Sequence, residues 1–213
     1  GKCYATVGTL GTPVTNDNCG VQSVSNDAPE NGQFPIGSTT VIWTVTDTHG
    51  HSATALQTIT VTDNENPTII CAGNQSRSMN SNVCSYTVSG AEFNATANDN
   101  CSGVNVSNDY NNSNTLDGAV FNTGQTTVIW TATDAAGNTS SCSSIITVED
   151  HQAPSITAPS ALNVTPNNSG CTAINVALGS PTTSDNCSGV TVSNNAPAVY
   201  PLGTTVITWI ATD

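Results

Sequence analysis

The chain has 213 residues, of which 8% are charged and 5% are aromatic, and its formal net charge is −13 because two basic residues face 15 acidic ones. So few Lys and Arg side chains exclude nucleic acid and anionic membrane surfaces as partners, since both attract proteins through basic side chains. The apolar runs are also too short for insertion as a membrane-spanning helix, which needs about 20 apolar residues. The composition favours cations as partners.

Short β-branched segments alternate with turns throughout the chain. In the segment from Thr126 to Thr133, the apolar residues Val128, Trp130 and Ala132 alternate with others, which predicts one face toward a core and one toward solvent. Helical periodicity is nearly absent, and Gly, Pro or Asn-Asp interrupts the chain about every dozen residues. These patterns predict an all-β chain of short strands.

Three copies of one pattern follow one another along the chain. Each copy contains Asp-Asn-Cys, a Val-x-Val-Ser-Asn segment or a close variant, and then a Gly followed by a Trp six residues later and an Asp ten residues later. The Asp-Asn-Cys segments end at Cys19, Cys101 and Cys187, and the Gly–Trp–Asp sets are Gly37–Trp43–Asp47, Gly124–Trp130–Asp134 and Gly203–Trp209–Asp213. The period of 82 to 86 residues suits a seven-stranded β-sandwich, in which each Trp is expected to fill the core.

Several strings of the middle copy resemble the hyalin repeat. They are Cys84-x-Tyr86-x-Val88, Asp99-Asn100-Cys101-Ser102, Gly124-x-Thr126-Thr127-Val128, Ala132-Thr133-Asp134-x-x-Gly137-Asn138, Cys142 and Val148-Glu149-Asp150. The hyalin repeat is an extracellular immunoglobulin-like module of animal adhesive proteins and long bacterial surface proteins. The resemblance implies tandem immunoglobulin-like β-sandwiches in an elongated array at an extracellular or cell-surface location. It also implies a role in adhesion or surface architecture, without a catalytic site.

The copies predict three domains, at residues 1–63, 64–150 and 151–213. We expect only the middle domain to be complete, because the first begins abruptly before Cys3 without its opening strand and the third stops at Asp213 before its closing strand. Two interpretations remain open. The chain is a window from a longer tandem array, or neighbouring chains self-associate and complete each other by donating a strand.

All eight cysteines are expected to form disulfides, because this composition is typical of an oxidising compartment. A couple 16 or 17 residues apart recurs in each copy and predicts the pairs Cys3–Cys19, Cys84–Cys101 and Cys171–Cys187. Cys71 and Cys142 occur only in the middle copy and are the fourth predicted pair. A zinc site is the alternative, but neither Cys-x-x-Cys spacing nor a nearby His supports it.

Acidic and amide residues concentrate where one copy meets the next. The string Asp63-Asn64-Glu65-Asn66-Pro67 resembles the linker between cadherin domains, where such residues help to bind calcium. Because Ca²⁺ takes six to eight oxygen ligands, these junctions are candidate calcium sites, with the hairpin carboxylate of a copy near the linker that precedes that copy. The candidate ligands are Asp63, Glu65, Asp134, Glu149, Asp150 and Asp213. The alternative is a solvated acidic linker.

These features predict a structural segment of an extracellular filament or surface stalk and not an enzyme. No phosphate-binding Gly loop or His-Glu-x-x-His motif occurs, and the three His lie in hairpin or linker positions. The alternative is an adhesin module that binds glycans or a surface protein, with Tyr110 and Tyr200 as the loop aromatics that would contact the ligand. Asn-x-Ser/Thr sequons such as Asn138-Thr139-Ser140 are compatible with a glycoprotein.

Overall fold

The computed structural model describes residues 1–213, and its regular structure consists entirely of β-strands, which confirms the predicted all-β class.

The chain forms two compact units. Unit 1 comprises Gly1–Ala72, Phe93–Thr115 and Ile129–Ser143, and unit 2 comprises Gly73–Glu92, Leu116–Val128 and Ser144–Asp213. The middle copy of the repeat therefore contributes residues to both units.

Nineteen strands follow the repeat. The first copy contains β1 Tyr4–Thr6, β2 Val21–Asn26, β3 Gln33–Pro35, β4 Gly37–Asp47 and β5 Ser52–Val61. The middle copy contains β6 Thr68–Ile70, β7 Gln75–Ser78, β8 Ser85–Thr87, β9 Thr96–Asn98, β10 Asn105–Asn108, β11 Val120–Asn122, β12 Gly124–Thr133 and β13 Thr139–Glu149. The third copy contains β14 Ser155–Thr157, β15 Ala173–Ile174, β16 Thr182–Ser184, β17 Thr191–Asn194, β18 Val199–Tyr200 and β19 Trp209–Thr212.

The strand pairings repeat from copy to copy. The strand after the opening cysteine pairs antiparallel with the strand that precedes the Gly–Trp–Asp strand, as β1–β3, β8–β11 and β15–β18. The strand after Asp-Asn-Cys pairs antiparallel with the Gly–Trp–Asp strand, as β2–β4, β10–β12 and β17–β19. β6–β9 and β14–β16 form a third type of pair. The widest sheet has the order β10-β12-β13-β7, and β7 runs parallel to β13.

The recurring Asn and Trp occupy the same register in all three copies. The Asn that ends the strand after Asp-Asn-Cys lies opposite the Trp, as Asn26–Trp43, Asn108–Trp130 and Asn194–Trp209. Each Asn side-chain oxygen accepts a hydrogen bond from the backbone N–H two residues on, at 2.9–3.0 Å. This Asx turn diverts the backbone from the ladder, so the Asn ends the strand through a local interaction.

The best-covered core lies in the middle copy. Val128, Trp130 and Ala132 are completely buried, whereas the intervening Ile129 is 45% exposed, which confirms the predicted faces of β12. The other buried apolar residues of this copy are Val88, Phe93, Leu116, Ala119, Phe121, Ile146 and Val148. The first copy buries Phe34 and Val41, and the third buries Ala173.

Trp43 and Trp209 are only partly buried, so the expectation of a core Trp in every copy is correct for Trp130 alone. In the first copy the indole Nε1 of Trp43 donates to Gln57 Oε1 at 2.8 Å. In the third copy Trp209 and Tyr200 line an open groove of about 520 Å³. In the sheets, β19 has β17 as its single neighbour, whereas β4 and β12 each have two neighbours.

Three disulfides cross-link the chain. They are Cys3–Cys101, Cys71–Cys142 and Cys84–Cys187, with Cα–Cα distances of 5.2, 5.9 and 4.9 Å. These distances are usual for disulfides. The Cys71–Cys142 bond joins the predicted partners, whereas each of the other two bonds joins an opening cysteine to the Asp-Asn-Cys cysteine of the following copy.

The three predicted pairs within a copy are wrong: Cys3–Cys19, Cys84–Cys101 and Cys171–Cys187. A constant spacing recurs equally whether the partner lies in the same copy or in the next, so periodicity does not distinguish the two connectivities. The prediction that all eight cysteines are bonded is also corrected, because Cys19 and Cys171 carry free, exposed thiols.

Candidate metal centres at the repeat junctions

Each Asp-Asn-Cys segment forms the same local turn. A carboxylate oxygen of the Asp accepts a hydrogen bond from the backbone N–H of the Cys, at 2.7 Å for Asp17, 2.9 Å for Asp99 and 3.1 Å for Asp185. This Asx turn orients the side chain and uses one carboxylate oxygen. The second oxygen remains available for another ligand.

In the second and third copies this second oxygen is buried and has no hydrogen-bond partner. The atoms are Asp99 Oδ1 and Asp185 Oδ1, and the neighbouring amide oxygens Asn100 Oδ1 and Asn186 Oδ1 are in the same state. Leaving a buried oxygen unpaired costs about 1–3 kcal/mol, so the recurrence of the same two atoms in each of two copies marks a candidate site for a cation. The Asp17 side chain of the first copy is instead exposed.

In unit 1 a linker carboxylate lies beside Asp99. Ligand atoms of Asp63, Asp99 and Cys101 all lie within 4.8 Å of one another. The Cys101 sulfur is bonded to Cys3 and does not serve as a metal ligand. We call Asp63, Asp99 and Asn100 the first junction cluster.

Unit 2 contains the equivalent arrangement. Carboxylate oxygens of Asp150, Asp185 and Asp213 all lie within 4.8 Å of one another. Asp150 and Asp185 occupy the repeat positions of Asp63 and Asp99. We call Asp150, Asp185, Asn186 and Asp213 the second junction cluster.

Asp134 is connected to the first linker through Asn138. Asp134 Oδ1 accepts backbone hydrogen bonds from Ala136 at 2.9 Å and Asn138 at 2.8 Å. Asn138 Nδ2 donates to Asp134 Oδ2 at 2.8 Å and to the Asp63 carbonyl oxygen at 3.1 Å. Burial alone would raise the pKa of Asp134, but the hydrogen bonds led by those from Asn138 outweigh it and lower the pKa below its ordinary value of 3.8. Asp134 is therefore an anion that anchors the hairpin.

Two of the predicted ligands have other partners. A carboxylate oxygen of Glu65 lies 3.2 Å from the Gly1 amino group, and Glu149 Oε2 lies 3.3 Å from His151 Nε2. Neither glutamate belongs to a junction cluster. The structure thus brings Asp63 into the first cluster and both Asp150 and Asp213 into the second.

The sequence patterns did not single out two residues of each cluster as candidate ligands. Asp99, Asn100, Asp185 and Asn186 were used only as landmarks of the repeat, although Asp-Asn before Cys in every copy was a sufficient signal for a shared polar role. In the sequence, Asn138 belongs to a hyalin-repeat string and to a sequon, and neither indicates that it joins the hairpin to the linker.

The clusters carry negative charge that no basic side chain offsets. The Lys2 Nζ lies 5.2 Å from the centroid of the Tyr4 ring, and Arg77 pairs with Glu92 at 3.1 Å. These are the only two Lys or Arg residues in the chain. Because carboxylates about 5 Å apart repel by a few kcal/mol near a protein surface, a divalent cation would stabilise each cluster.

The two tyrosines considered as ligand contacts differ in exposure. Tyr110 is 40% exposed in the loop after β10, and its backbone N–H donates to Asn108 Oδ1. Tyr200 is half-buried in β18 and lines the groove of the third copy. Tyr110 is therefore the more accessible of the two rings.

In the first copy, the hairpin that corresponds to the one at Asp134 contains two histidines. Asp47 Oδ1 accepts backbone hydrogen bonds from His49 at 2.7 Å and His51 at 2.9 Å, and the His51 Nδ1 lies 2.9 Å from Asp47 Oδ2. The hydrogen bond from the His51 side chain is the main reason that the pKa of Asp47 is lowered. The carboxylate anion of Asp47 is therefore the form that the folded hairpin binds.

Acid should weaken this hairpin below about pH 3.8. Because folding lowers the pKa of Asp47, its contribution to stability is complete above the ordinary value of 3.8 and is lost as the pH falls through the folded value. In urea unfolding, the midpoint of the unchanged chain should exceed that of Asp47→Asn at about pH 5 and approach it at about pH 2. A difference that stays constant over this range would contradict the prediction.

Sequence comparison identifies relatives over nearly the whole chain. The HYR domain family matches residues 7–61 and 62–148. Hyalin from Lytechinus variegatus is 32% identical over 211 residues, covering 94% of this chain and 39% of the relative. Hyalin from Strongylocentrotus purpuratus is 30% identical over 210 residues, covering 94% of this chain and 17% of the relative. The chain thus spans well under half of the length of either hyalin.

Solved structures with partial similarity are extracellular cadherin fragments. Protocadherin gamma B7 extracellular cadherin domains 1–4 are 14% identical with a TM-score of 0.36, covering 84% of this chain and 57% of that chain. The protocadherin gammaB7 EC3-6 cis-dimer is 21% identical with a TM-score of 0.37, covering 91% of this chain and 52% of that chain.

Disulfides between consecutive β-repeats are typical of proteins that work outside the cell. No helix with the length and apolar character of a membrane span occurs in the structure. The chain is an extracellular protein made of tandem all-β repeats. It belongs to the HYR domain family, which confirms the resemblance to the hyalin repeat.

Proposed function

We propose that the chain is a structural segment of an extracellular filament or surface stalk, in which calcium at the repeat junctions fixes the orientation of successive repeats. The observation that carries this proposal is the repetition of the same buried, unpaired oxygens beside linker carboxylates at both junctions. The repeats are proposed to span 1–63, 64–150 and 151–213, so that one cluster lies at each boundary.

The residues of both clusters suit calcium. Each linker Asp uses Oδ1 in an Asx turn, Asp63 with the Glu65 N–H at 3.1 Å and Asp150 with the Gln152 N–H at 2.9 Å. Like the Asp of Asp-Asn-Cys, each linker Asp therefore has a second oxygen available. Carboxylate and amide oxygens are hard ligands that Ca²⁺ prefers, and water would complete its six to eight positions. Calcium here would neutralise charge and would hold a linker against an Asp-Asn-Cys turn.

The disulfides support a mechanical role. Cys3–Cys101 and Cys84–Cys187 each join one copy to the next, at sequence separations of 98 and 103 residues. A force applied along the chain is therefore transmitted by disulfides at both junctions and not by the linker alone. This arrangement suits a stalk or filament, which has to keep its repeats connected under load.

Exposed apolar side chains in the third copy support self-association or continuation in a longer chain. Leu202, Val206 and Ile210 are 73%, 78% and 55% exposed. Apolar surface gains about 25 cal/mol per Å² when it is covered, so a neighbouring repeat or chain on this surface would stabilise the third copy.

Chelation should loosen the junctions without unfolding the repeats. The candidate ligands lie at the junctions, whereas the disulfides and the buried side chains do not depend on a metal. Adding EDTA to the calcium-loaded chain should broaden its interatomic distance distribution in small-angle X-ray scattering and should leave the β signal in circular dichroism unchanged. Identical scattering with and without calcium would contradict the proposed role of the metal.

A further inference from the structure

The two disulfides between copies obey one connectivity. Cys3, which directly precedes β1, bonds Cys101 in the Asp-Asn-Cys turn of the second copy. Cys84, which directly precedes β8, bonds Cys187 in the corresponding turn of the third copy. The opening cysteine of one copy therefore bonds the turn cysteine of the next, twice in succession and with closely similar Cα–Cα distances of 5.2 and 4.9 Å.

Cys19 and Cys171 occupy the two positions of this connectivity that have no partner within the chain. The N–H of Cys19 donates to Asp17 in the same turn that the bonded turn cysteines form. Cys171 is the opening cysteine of the third copy and comes two residues before β15. Both thiols are exposed. By this connectivity, the partner of Cys19 is an opening cysteine from a preceding repeat. The partner of Cys171 is a turn cysteine from a following repeat.

We propose that Cys171 of one copy of this chain forms a disulfide with Cys19 of the next copy. A second copy suits both positions, because this chain itself presents an exposed turn thiol and an exposed opening thiol. The resulting bond continues the internal pattern from chain to chain, so that every junction carries one disulfide. The inference rests on the proposed self-association and adds a covalent bond to it.

The reaction requires a small-molecule disulfide, such as glutathione disulfide, as the oxidant. The Cys171 thiolate attacks it, forms a mixed disulfide and releases one glutathione thiolate. The Cys19 thiolate of the next copy then attacks the Cys171 sulfur and releases the second glutathione. Two protein thiols and one glutathione disulfide give one protein disulfide and two glutathione thiols, so atoms and electrons balance.

Single variants of the whole chain test the pairing. The Cys19→Ser variant keeps the opening thiol of Cys171, and the Cys171→Ser variant keeps the turn thiol of Cys19. After treatment with glutathione disulfide, a mixture of the two variants should give a covalent dimer on a non-reducing gel, about tenfold or more above either variant alone, because docking raises the effective thiol concentration. The unchanged chain should give a ladder of covalent oligomers, which reductant should convert to monomer. Equal dimer in the mixture and in the separate variants would overturn the proposal.

Peptide mapping identifies the bond. Pepsin digestion at acid pH suppresses disulfide exchange because thiolates are protonated there, whereas trypsin would cut only at Lys2 and Arg77. Mass spectrometry of the dimer should find Cys171 linked to Cys19. Links between two Cys171 residues or between two Cys19 residues would overturn the proposal, and so would a monomer that contains its own Cys19–Cys171 bond.

The double variant Cys19→Ser/Cys171→Ser separates this inference from the proposed function. If light scattering shows that the double variant associates while the unchanged chain forms no Cys171–Cys19 bond, the proposed self-association holds and the disulfide proposal fails. If neither protein associates and no bond forms, both the proposed self-association and the disulfide proposal fail. Circular dichroism should show the same β signal in both proteins.

Native material distinguishes a second chain from a further repeat of the same polypeptide. After extraction with a thiol-blocking reagent, a non-reducing ladder that collapses in reductant supports a second chain. A single band in which Cys171 is linked to an Asp-Asn-Cys peptide of the same polypeptide would overturn the second copy as the partner.

Discussion

Asp99→Asn should remove calcium binding at the first junction cluster and leave the second cluster intact. Asn keeps an oxygen that accepts the Cys101 N–H, so the turn is preserved while one ligand charge is lost. Because calcium affinity follows the number of charged ligands, we expect the affinity of this cluster to fall about 100-fold, which corresponds to about 2.8 kcal/mol. Isothermal titration calorimetry should then detect one site per chain in place of two.

Asp17→Asn provides the matched control for this experiment. It changes the same position of the Asp-Asn-Cys turn in the first copy, where the side chain is exposed and belongs to no junction cluster. Calcium stoichiometry and affinity should therefore stay unchanged. Asp185→Asn should remove the second site instead of the first. Two sites of unaltered affinity in Asp99→Asn would show that this carboxylate is not a calcium ligand.

Replacing Cys71 and Cys142 by Ala should lower the free energy of unfolding by about 4 kcal/mol. The bond joins the end of β6 to β13 across a sequence separation of 71 residues. Without it, the unfolded chain gains conformational freedom that a loop of this length otherwise loses. The prediction is checked by guanidinium chloride unfolding, followed through the buried Trp130 by fluorescence.

Cys19→Ala is the control for this stability measurement. Cys19 is exposed and unbonded, so its replacement should change the free energy of unfolding by less than about 0.5 kcal/mol. The comparison separates loss of a cross-link from loss of a thiol. A decrease below about 1 kcal/mol in the double alanine variant would mean that the bond does not constrain the unfolded chain as expected.

The local features of the fold could be predicted because they depend on neighbouring residues. Alternation in β12 determines which side chains are buried, and Val128, Trp130 and Ala132 are buried as predicted. The repeated Asn and Asp residues form turns with N–H groups two positions away, so each copy folds its turns alike. The recurrence of these short-range interactions also made the HYR family recognisable.

The repeat pattern was not sufficient to predict the burial of the Trp residues. Trp43, Trp130 and Trp209 have identical positions in the pattern, yet only Trp130 is completely buried. Burial depends on what packs over the indole ring, and the sheets that contain the three Trp residues differ in their number of strands. A local pattern specifies the face of a strand but does not specify the element that packs against it.

By itself, the sequence determined the all-β class, the repeat, the turns and the family, since each depends on composition or on residues a few positions apart. Only the tertiary structure decided that Cys3 bonds Cys101 and that Asp99 lies beside Asp63. The physical reason is separation along the chain. The two cysteines are 98 residues apart, and identical spacings within each copy are compatible with a partner in the same copy or in the next. Packing of the folded strands is what brings one of these partners within bonding distance.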